Sequence, residues 1–386
     1  MIVLSRPLLP RREWLLDPNV TFLNHGSFGG VPRALLSAQR RLQQRMERNP
    51  TKFLLYELGA ALRGAATRLA HFVGGSGMDY VFVENATAGC NTVLCSVGFS
   101  RGDEILLTDH CYPPVHNAAE FIASRTGARV TEAKVPFPLM DSAEIVAAVE
   151  KKLGSRTRLV ILDHVTSPTA VVFPVHELTS LCHKAGAKVL IDGAHAPGML
   201  GLNVPSIDAD WYVGNCHKWL MAPKGSGFLW MSPVRRNEVH PLVISHYYKK
   251  SVVDEFDWVG TRDPTPWLCV PAAIQLHQRM GGPGLRERNS ILARKAAVLL
   301  ARAWKTAQGS ASDLIGSMAT VQLPIREVSN SHHAHSLRTL LLTKHLIDVA
   351  IIAFNGILWA RISAHAYNSF EDYERLADAV PKAILN

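Results

Sequence analysis

Through most of the chain, short apolar runs alternate with longer stretches whose apolar residues recur at helical spacing. Residues 80–83, 104–108, 129–131, 158–162, 189–191, 211–214 and 228–230 are rich in Val, Ile, Leu and aromatics. They predict strands, most of them leading into turns of small or polar residues. Between them, residues 34–49, a run ending at Val97, another ending at Ser124, and residues 141–153 predict helices. This alternation predicts an α/β fold with a mostly parallel sheet sandwiched by helices. From about Pro271 the pattern changes. Residues 285–307 predict a long helix, 318–323 and 357–362 strands, and 370–385 a closing helix. We read residues 31–270 as a large domain and 271–386 as a smaller α+β C-terminal domain. Residues 1–30 form an N-terminal segment expected to pack with the small domain.

Composition narrows the class. With 386 residues, 47 % of them hydrophobic, the chain can bury a large core and a second smaller one. No apolar run reaches about 18 residues, so no membrane span is predicted. The apolar part of residues 1–12 is too short for a secretory signal, and the protein reads as soluble and cytoplasmic. Cys90, Cys95, Cys111, Cys182, Cys216 and Cys269 form neither a C-x-x-C pair nor a dense framework. That spacing predicts reduced thiols and no zinc. The formal charge is +9, but Lys and Arg are spread along the chain without aromatic interleaving. A general attraction for small anionic molecules explains this charge as well as nucleic acid would, and no nucleic-acid partner is predicted. His332-His333-Ala334-His335 has metal-ligand residue types but neither Cys nor acidic partners, so it is expected to be an exposed loop and no metal is predicted.

The chemistry concentrates between Val189 and Trp219. An apolar run ends on Asp192, followed by Gly193-Ala194-His195-Ala196-Pro197-Gly198; Asn215-Cys216-His217-Lys218-Trp219 comes later. A strand ending on a carboxylate and a lysine behind a histidine suit pyridoxal phosphate. That cofactor needs an amine to bond its aldehyde and an acid to keep its ring nitrogen protonated. Lys218 would be the amine and Asp192 the acid. Lys224 is the rival amine, but its Pro-Lys-Gly turn predicts a solvated, protonated side chain. Residues 84–89, after the strand at 80–83, make a turn into a helix whose free N–H groups form an anion seat, although Asn85 is also an ordinary N-cap. Thr87, Tyr112, Ser167, Asp192 and His195 all fall at the carboxyl ends of predicted strands, where ligands lie in such sheets.

The order of these features resembles the fold-type I pyridoxal-phosphate enzymes. More closely it resembles the class V aminotransferase superfamily, in its isopenicillin N epimerase-like branch. The resemblance implies that Ala86 and Thr87 hold the cofactor phosphate, and that Tyr112 stacks on the pyridine face. It places Ser167 and His195 near the phenolic oxygen, where many relatives have Asn and Gln. Asn215 and His217 would donate to the phosphate or approach the lysine. The Gly260-Thr261 pair implies a homodimer with a composite site, Thr261 reaching the phosphate of the neighbouring subunit. Arg361, in Trp359-Ala360-Arg361-Ile362-Ser363, would pair the substrate α-carboxylate. Asn24 and His25, in an Asn-His-Gly-Ser turn, would contact substrate.

The implied reaction begins at the α-carbon of an amino acid, Lys218 taking the proton. Epimerisation or racemisation is the first reading. A carbon–sulfur lyase such as a cysteine desulfhydrase, an aminotransferase, and a non-catalytic binding protein retaining the fold are the alternatives. Class V desulfurases carry a mobile cysteine shortly before the carboxylate-binding arginine. Between Cys269 and Arg361 this chain has no cysteine, which disfavours persulfide transfer.

Overall fold

The computed structural model describes residues 4–385; residues 1–3 of the N-terminal segment and residue 386 lie outside it. Strand β1 (Thr21–Phe22) belongs to the N-terminal segment. The large sheet is built from β2 (Tyr80–Val83), β3 (Glu104–Thr108), β4 (Arg129–Ala133), β5 (Thr157–Asp163), β6 (Lys188–Gly193), β7 (Trp211–Asn215) and β8 (Gly227–Met231). Their order across the sheet is β2-β8-β7-β6-β5-β3-β4, with β8 antiparallel to both neighbours and the pairs from β7 to β4 parallel.

The central strands are apolar throughout because both faces are covered, the usual cause of unbroken hydrophobic runs in parallel sheets. Strand alternation sorts their side chains. On one face Val160, Leu162, Val189, Ile191 and Tyr212 pack with helices Leu58–Val73 and Val175–Lys184. On the other, Leu159, Ile161, Leu190 and Val213 pack with helices Ala86–Ser96 and Pro113–Thr126. Each fully buried Leu or Ile contributes about 1.5–3 kcal/mol relative to exposure. The same alternation sends Asp163 and Asp192 to the second face, and they are register partners at the ends of β5 and β6.

A smaller antiparallel sheet joins β9 (Met318–Gln322), β11 (Ala350–Phe354) and β12 (Ile357–Ser363) in the order β11-β12-β9. Its core includes Leu292, Trp304, Leu341, Ile362 and Tyr373 from the sheet and three helices. The N-terminal segment joins this unit. Strand β10 (Ile347–Asp348) pairs in parallel with β1, and Leu23 is buried in the small core. Leu23 accepts from the Ser363 amide at 2.8 Å, which delivers residues 24–28 to the seam between the two sheets. Helix Val270–Arg279 buries Val270, Ala273 and Ile274 in the large core, and the changeover falls within helix Pro283–Trp304, with Leu285 in one core and Leu292 in the other.

One expectation is corrected here. The histidine tract is not a loop but the first turn of helix Ser331–His345, whose Asn330 side chain accepts from the amides of His332 and His333 at 2.9 and 3.1 Å. The N-cap, and Ala334, Leu337 and Leu341 facing inward, decide it. The three histidines stay on the exposed face.

Candidate active site

Lys218 lies just beyond the carboxyl end of β7 and is partly buried. Its amine stands 3.1 Å from His195 Nε2. The other ring nitrogen of His195 accepts from the Trp219 indole N–H at 3.4 Å. An indole nitrogen only donates, so the His195 proton sits on Nε2 and points at the lysine amine, an arrangement that suits a neutral amine. Burial, then the charge of Arg361, lowers the Lys218 pKa to about 8, with Asp192 and Asp163 pulling the other way. An amine that sheds its proton this readily is the kind that bonds a carbonyl.

Asp192 accepts from the Ala194 amide at 2.9 Å. Burial raises its pKa; that bond and Lys218 oppose the shift. Its neighbour Asp163 is driven well above the usual carboxylate range, by burial first and by Asp192 second. Two carboxylates side by side in a dry site do not both ionise, so Asp163 takes the proton and Asp192 the charge. The signal for Asp163 was in the sequence, an apolar run ending on Asp, as at Asp192.

Arg361, on β12, is buried. It donates through Nη1 to the carbonyl and, at 3.2 Å, to the hydroxyl of Ser167, and through Nη2 to Ser27 Oγ at 2.9 Å. Its Nε is buried without an acceptor, and no carboxylate pairs with it among the described residues. Burial lowers its pKa to about 10. A buried guanidinium facing hydroxyls, with a donor left over, is a seat for an outside anion.

The remaining residues divide. The Ala86 amide is taken by Asn215 Oδ1 at 2.8 Å, so the anion seat at this helix start falls to the Thr87 amide, which has no acceptor among the described residues. Asn215 keeps its Nδ2 to donate. His217 gives its Nδ1 proton to the Ser226 carbonyl at 2.9 Å and is held neutral by burial, its pKa at about 4. Tyr112 caps helix Pro113–Thr126, is 39 % exposed, and lies close enough to Arg361 to raise its pKa. Lys224, the rival amine, is exposed and donates to the Gly29 carbonyl at 3.2 Å.

Three placements add to or depart from expectation. Ser167 accepts from Arg361, a partner the expectation did not include, and keeps its hydroxyl proton to donate. Asn24 has both polar ends engaged, Nδ2 with Asp348 at 3.0 Å and Oδ1 with Ser27 at 2.6 Å. His25 is fully buried, with one ring nitrogen 2.7 Å from the Tyr367 hydroxyl and the other 3.0 Å from the Lys218 carbonyl. Neither is free for substrate; Ser27, one turn on, is the member of that segment that reaches Arg361. Thr261 is exposed, as a residue serving a second copy would be, and lies beside Arg262, which pairs with Glu84 at 2.6 Å.

A buried amine of lowered pKa, a charged buried carboxylate, an anion seat at a helix start and an unpaired guanidinium fit pyridoxal phosphate and an amino acid. The profile of the aminotransferase class-V family matches residues 31–376. The chain belongs to that family, whose members are pyridoxal-phosphate-dependent enzymes. It is 35 % identical to isopenicillin N epimerase of Streptomyces clavuligerus, covering 96 % of each chain. It is 34 % identical to putative L-cysteine desulfhydrase 1 of Oryza sativa subsp. japonica, over 96 % of this chain and 84 % of that one. Among solved structures, a mutant of C-DES with glycine covalently linked to its PLP cofactor superposes with a TM-score of 0.80 at 24 % identity, covering 96 % of this chain and 99 % of that one. The fold-type I architecture expected from the sequence is therefore the one observed.

Proposed function

We propose that this enzyme acts at the α-carbon of an amino acid as an epimerase or racemase, with Arg361 holding the α-carboxylate between two proton carriers. The observation that carries the reading is electrostatic and positional. Arg361 lies near enough to both the Lys218 amine and Tyr112 to interact electrostatically with each. Those two residues follow β7 and β3, and β6 and β5 lie between them in the sheet. Inverting a stereocentre needs one group to remove a proton and another to return it from the opposite face.

Bound pyridoxal phosphate supplies an electron sink for the charge that develops on the α-carbon. The protein's own residues do the rest. Arg361 trades the Ser27 and Ser167 hydroxyls for the substrate carboxylate, its fork matching that planar anion. Lys218 removes the α-proton through its amine while His195 orients it. Asp192 holds the proton on the cofactor's ring nitrogen, and protonated Asp163 beside it keeps a second negative charge out of the site. Tyr112 returns the proton through its hydroxyl. Thr87 and Asn215 hold the phosphate through their N–H groups, while His217, its one proton given to Ser226, braces the lysine loop, with Thr261 of a second copy completing the site in a homodimer. The six free cysteines suit a reducing, cytoplasmic setting.

A second reading, carbon–sulfur lyase by β-elimination, is favoured by the desulfhydrase-like relatives and needs only Lys218 as proton carrier. One incubation in deuterium oxide with a panel of L-amino acids including L-cysteine separates the two. The first reading expects the D-enantiomer carrying α-deuterium. Pyruvate and sulfide from L-cysteine, without any D-enantiomer, would replace it by the second. Tyr112→Phe is expected to lose about 100-fold in epimerisation while still exchanging the α-hydrogen of the L-isomer.

A further inference from the structure

We propose that His25 is a positioning residue for the catalytic lysine: its Nε2–H holds the Lys218 carbonyl while His195 holds the amine, so that two neutral histidines clamp one residue at both ends. The inference rests on Lys218 being the cofactor-bearing lysine.

Hydrogen-bond chemistry fixes the tautomer. The Gly30 amide approaches His25 Nδ1 at 3.3 Å. A backbone N–H can only donate, so Nδ1 carries no proton, and the Tyr367 hydroxyl 2.7 Å away donates to it as well. The proton is on Nε2, aimed at the Lys218 carbonyl at 3.0 Å. His195 obeys the same rule, with the Trp219 indole as the donor-only partner. Trp219 links the two, its ring 5.0 Å from His25. Behind His25 the His365 ring stacks at 3.9 Å and 16°, and its Nδ1 is buried without a partner. Nothing in that stack offers a counter-charge to an imidazolium.

The loop needs such an anchor. The Lys218 carbonyl also accepts from the Met221 amide at 3.0 Å, and Met221 sits at φ 62°, a left-handed conformation unfavourable for its side chain. A strained turn three residues after the lysine relaxes unless a second bond fixes the carbonyl, and relaxation carries the amine away from His195. The charges facing that amine are Arg361, Asp192 and Asp163. Their balance changes with its position, so loss of the anchor is read in the cofactor's spectrum as well as in rate.

The test uses the enzyme loaded with pyridoxal phosphate. In nitrogen-15 histidine NMR, with His25 assigned by its loss in His25→Gln, the wild type is expected to show the neutral Nε2–H form throughout roughly pH 6 to 8. An Nδ1–H form or an imidazolium in that range overturns the proposal, and this arm stands even if a variant fails to fold. In His25→Leu the pH midpoint of the visible cofactor band is expected to move by about one unit, and kcat to fall about tenfold with little change in KM. His25→Gln, which restores a donor near the Nε2 position, is expected to bring the midpoint back. A folded, fully loaded His25→Leu enzyme with wild-type midpoint and kcat overturns the proposal. A band that survives unchanged in Lys218→Ala would instead overturn the assignment of the lysine, while the NMR still reports the His25 bond.

Discussion

Arg361 is a cation kept dry without an acidic companion, and Lys218 is an amine kept dry beside it. Arg361 lowers the pKa of Lys218, and the hydroxyls of Ser27 and Ser167 do not cancel the full charge of the guanidinium. On the proposed function, the substrate carboxylate is the counter-charge that this site lacks. Arg361→Lys retains the charge but loses the planar fork and its bonds to both serines. It is expected to lower kcat/KM about 10- to 100-fold, chiefly through KM, with unfolding unchanged to within about 1 kcal/mol. Steady-state kinetics on the best amino acid checks this; an unaltered KM would mean that the carboxylate binds elsewhere. At this scale the sequence was informative for residues whose chemistry is fixed by type and strand position, such as Asp192 and Lys218. It was poor for residues defined by what they face. Ser27 and His25 stand two positions apart in one turn, and only the packing says which meets Arg361 and which meets Lys218.

Among the elements, the N-terminal turn has the largest leverage, because it reaches the lysine loop from outside the large sheet. Gly29 has φ 72°, and a Cβ there would lie 2.2 Å from the His217 carbonyl oxygen. The backbone of the turn therefore rests directly on the peptide that leads into Lys218. Gly29→Ala adds left-handed strain and a clash that only backbone movement relieves. It is expected to destabilise the fold by more than about 1 kcal/mol, read by urea unfolding, and to shift the visible cofactor band. A variant that unfolds and absorbs like wild type would show that the turn is not pressed against the loop. The strands of the large sheet, and β9 and β12 of the small one, were read from short apolar runs, whereas β11 was missed. Helix Leu58–Val73 was not announced by its sequence, since small residues carry much of its buried face: Ala65, Ala66 and Ala70 beside Leu62 and Leu69. The histidine tract misled for the opposite reason, its polar residues masking an inward face.

The whole molecule adds two properties that no single residue has. Thr261 is exposed, and Leu242, Val243, Ile244, Tyr247 and Tyr248 form an exposed apolar run in the same chain. If Thr261 serves a second copy's phosphate, mixing two inactive variants, Lys218→Ala and Thr261→Asp, should rebuild one intact site in each mixed dimer. After subunit exchange, about a quarter of wild-type activity is expected from random pairing; no recovery despite demonstrated exchange would show that each site is complete within one chain. The second property is acid lability. Burial lowers His25 to about 3 and His164 and His277 to about 4, while in the unfolded chain each titrates near 6.5. Between those values the unfolded state binds protons that the folded state refuses. Their contribution is therefore whole above about pH 6.5 and shrinks as pH falls, by about 2 kcal/mol apiece by pH 5. Urea unfolding of the loaded enzyme at pH 7 and pH 5 should show a steep loss of stability; equal midpoints would contradict the neutral burial of these rings.

The sequence by itself determined the alternation that builds the large sheet, and it singled out Asp192 and Lys218 as residue types that suit the cofactor. Those features depend on local periodicity and on residue types whose chemistry is invariant. Tertiary structure alone decided which neighbour each polar group meets: Ser167 with Arg361, Asn215 with Ala86, His25 with the carbonyl of Lys218. Such contacts join residues up to hundreds of positions apart, and which polar atoms end up dry and facing one another follows from how the two cores pack, a property no local stretch of chain carries.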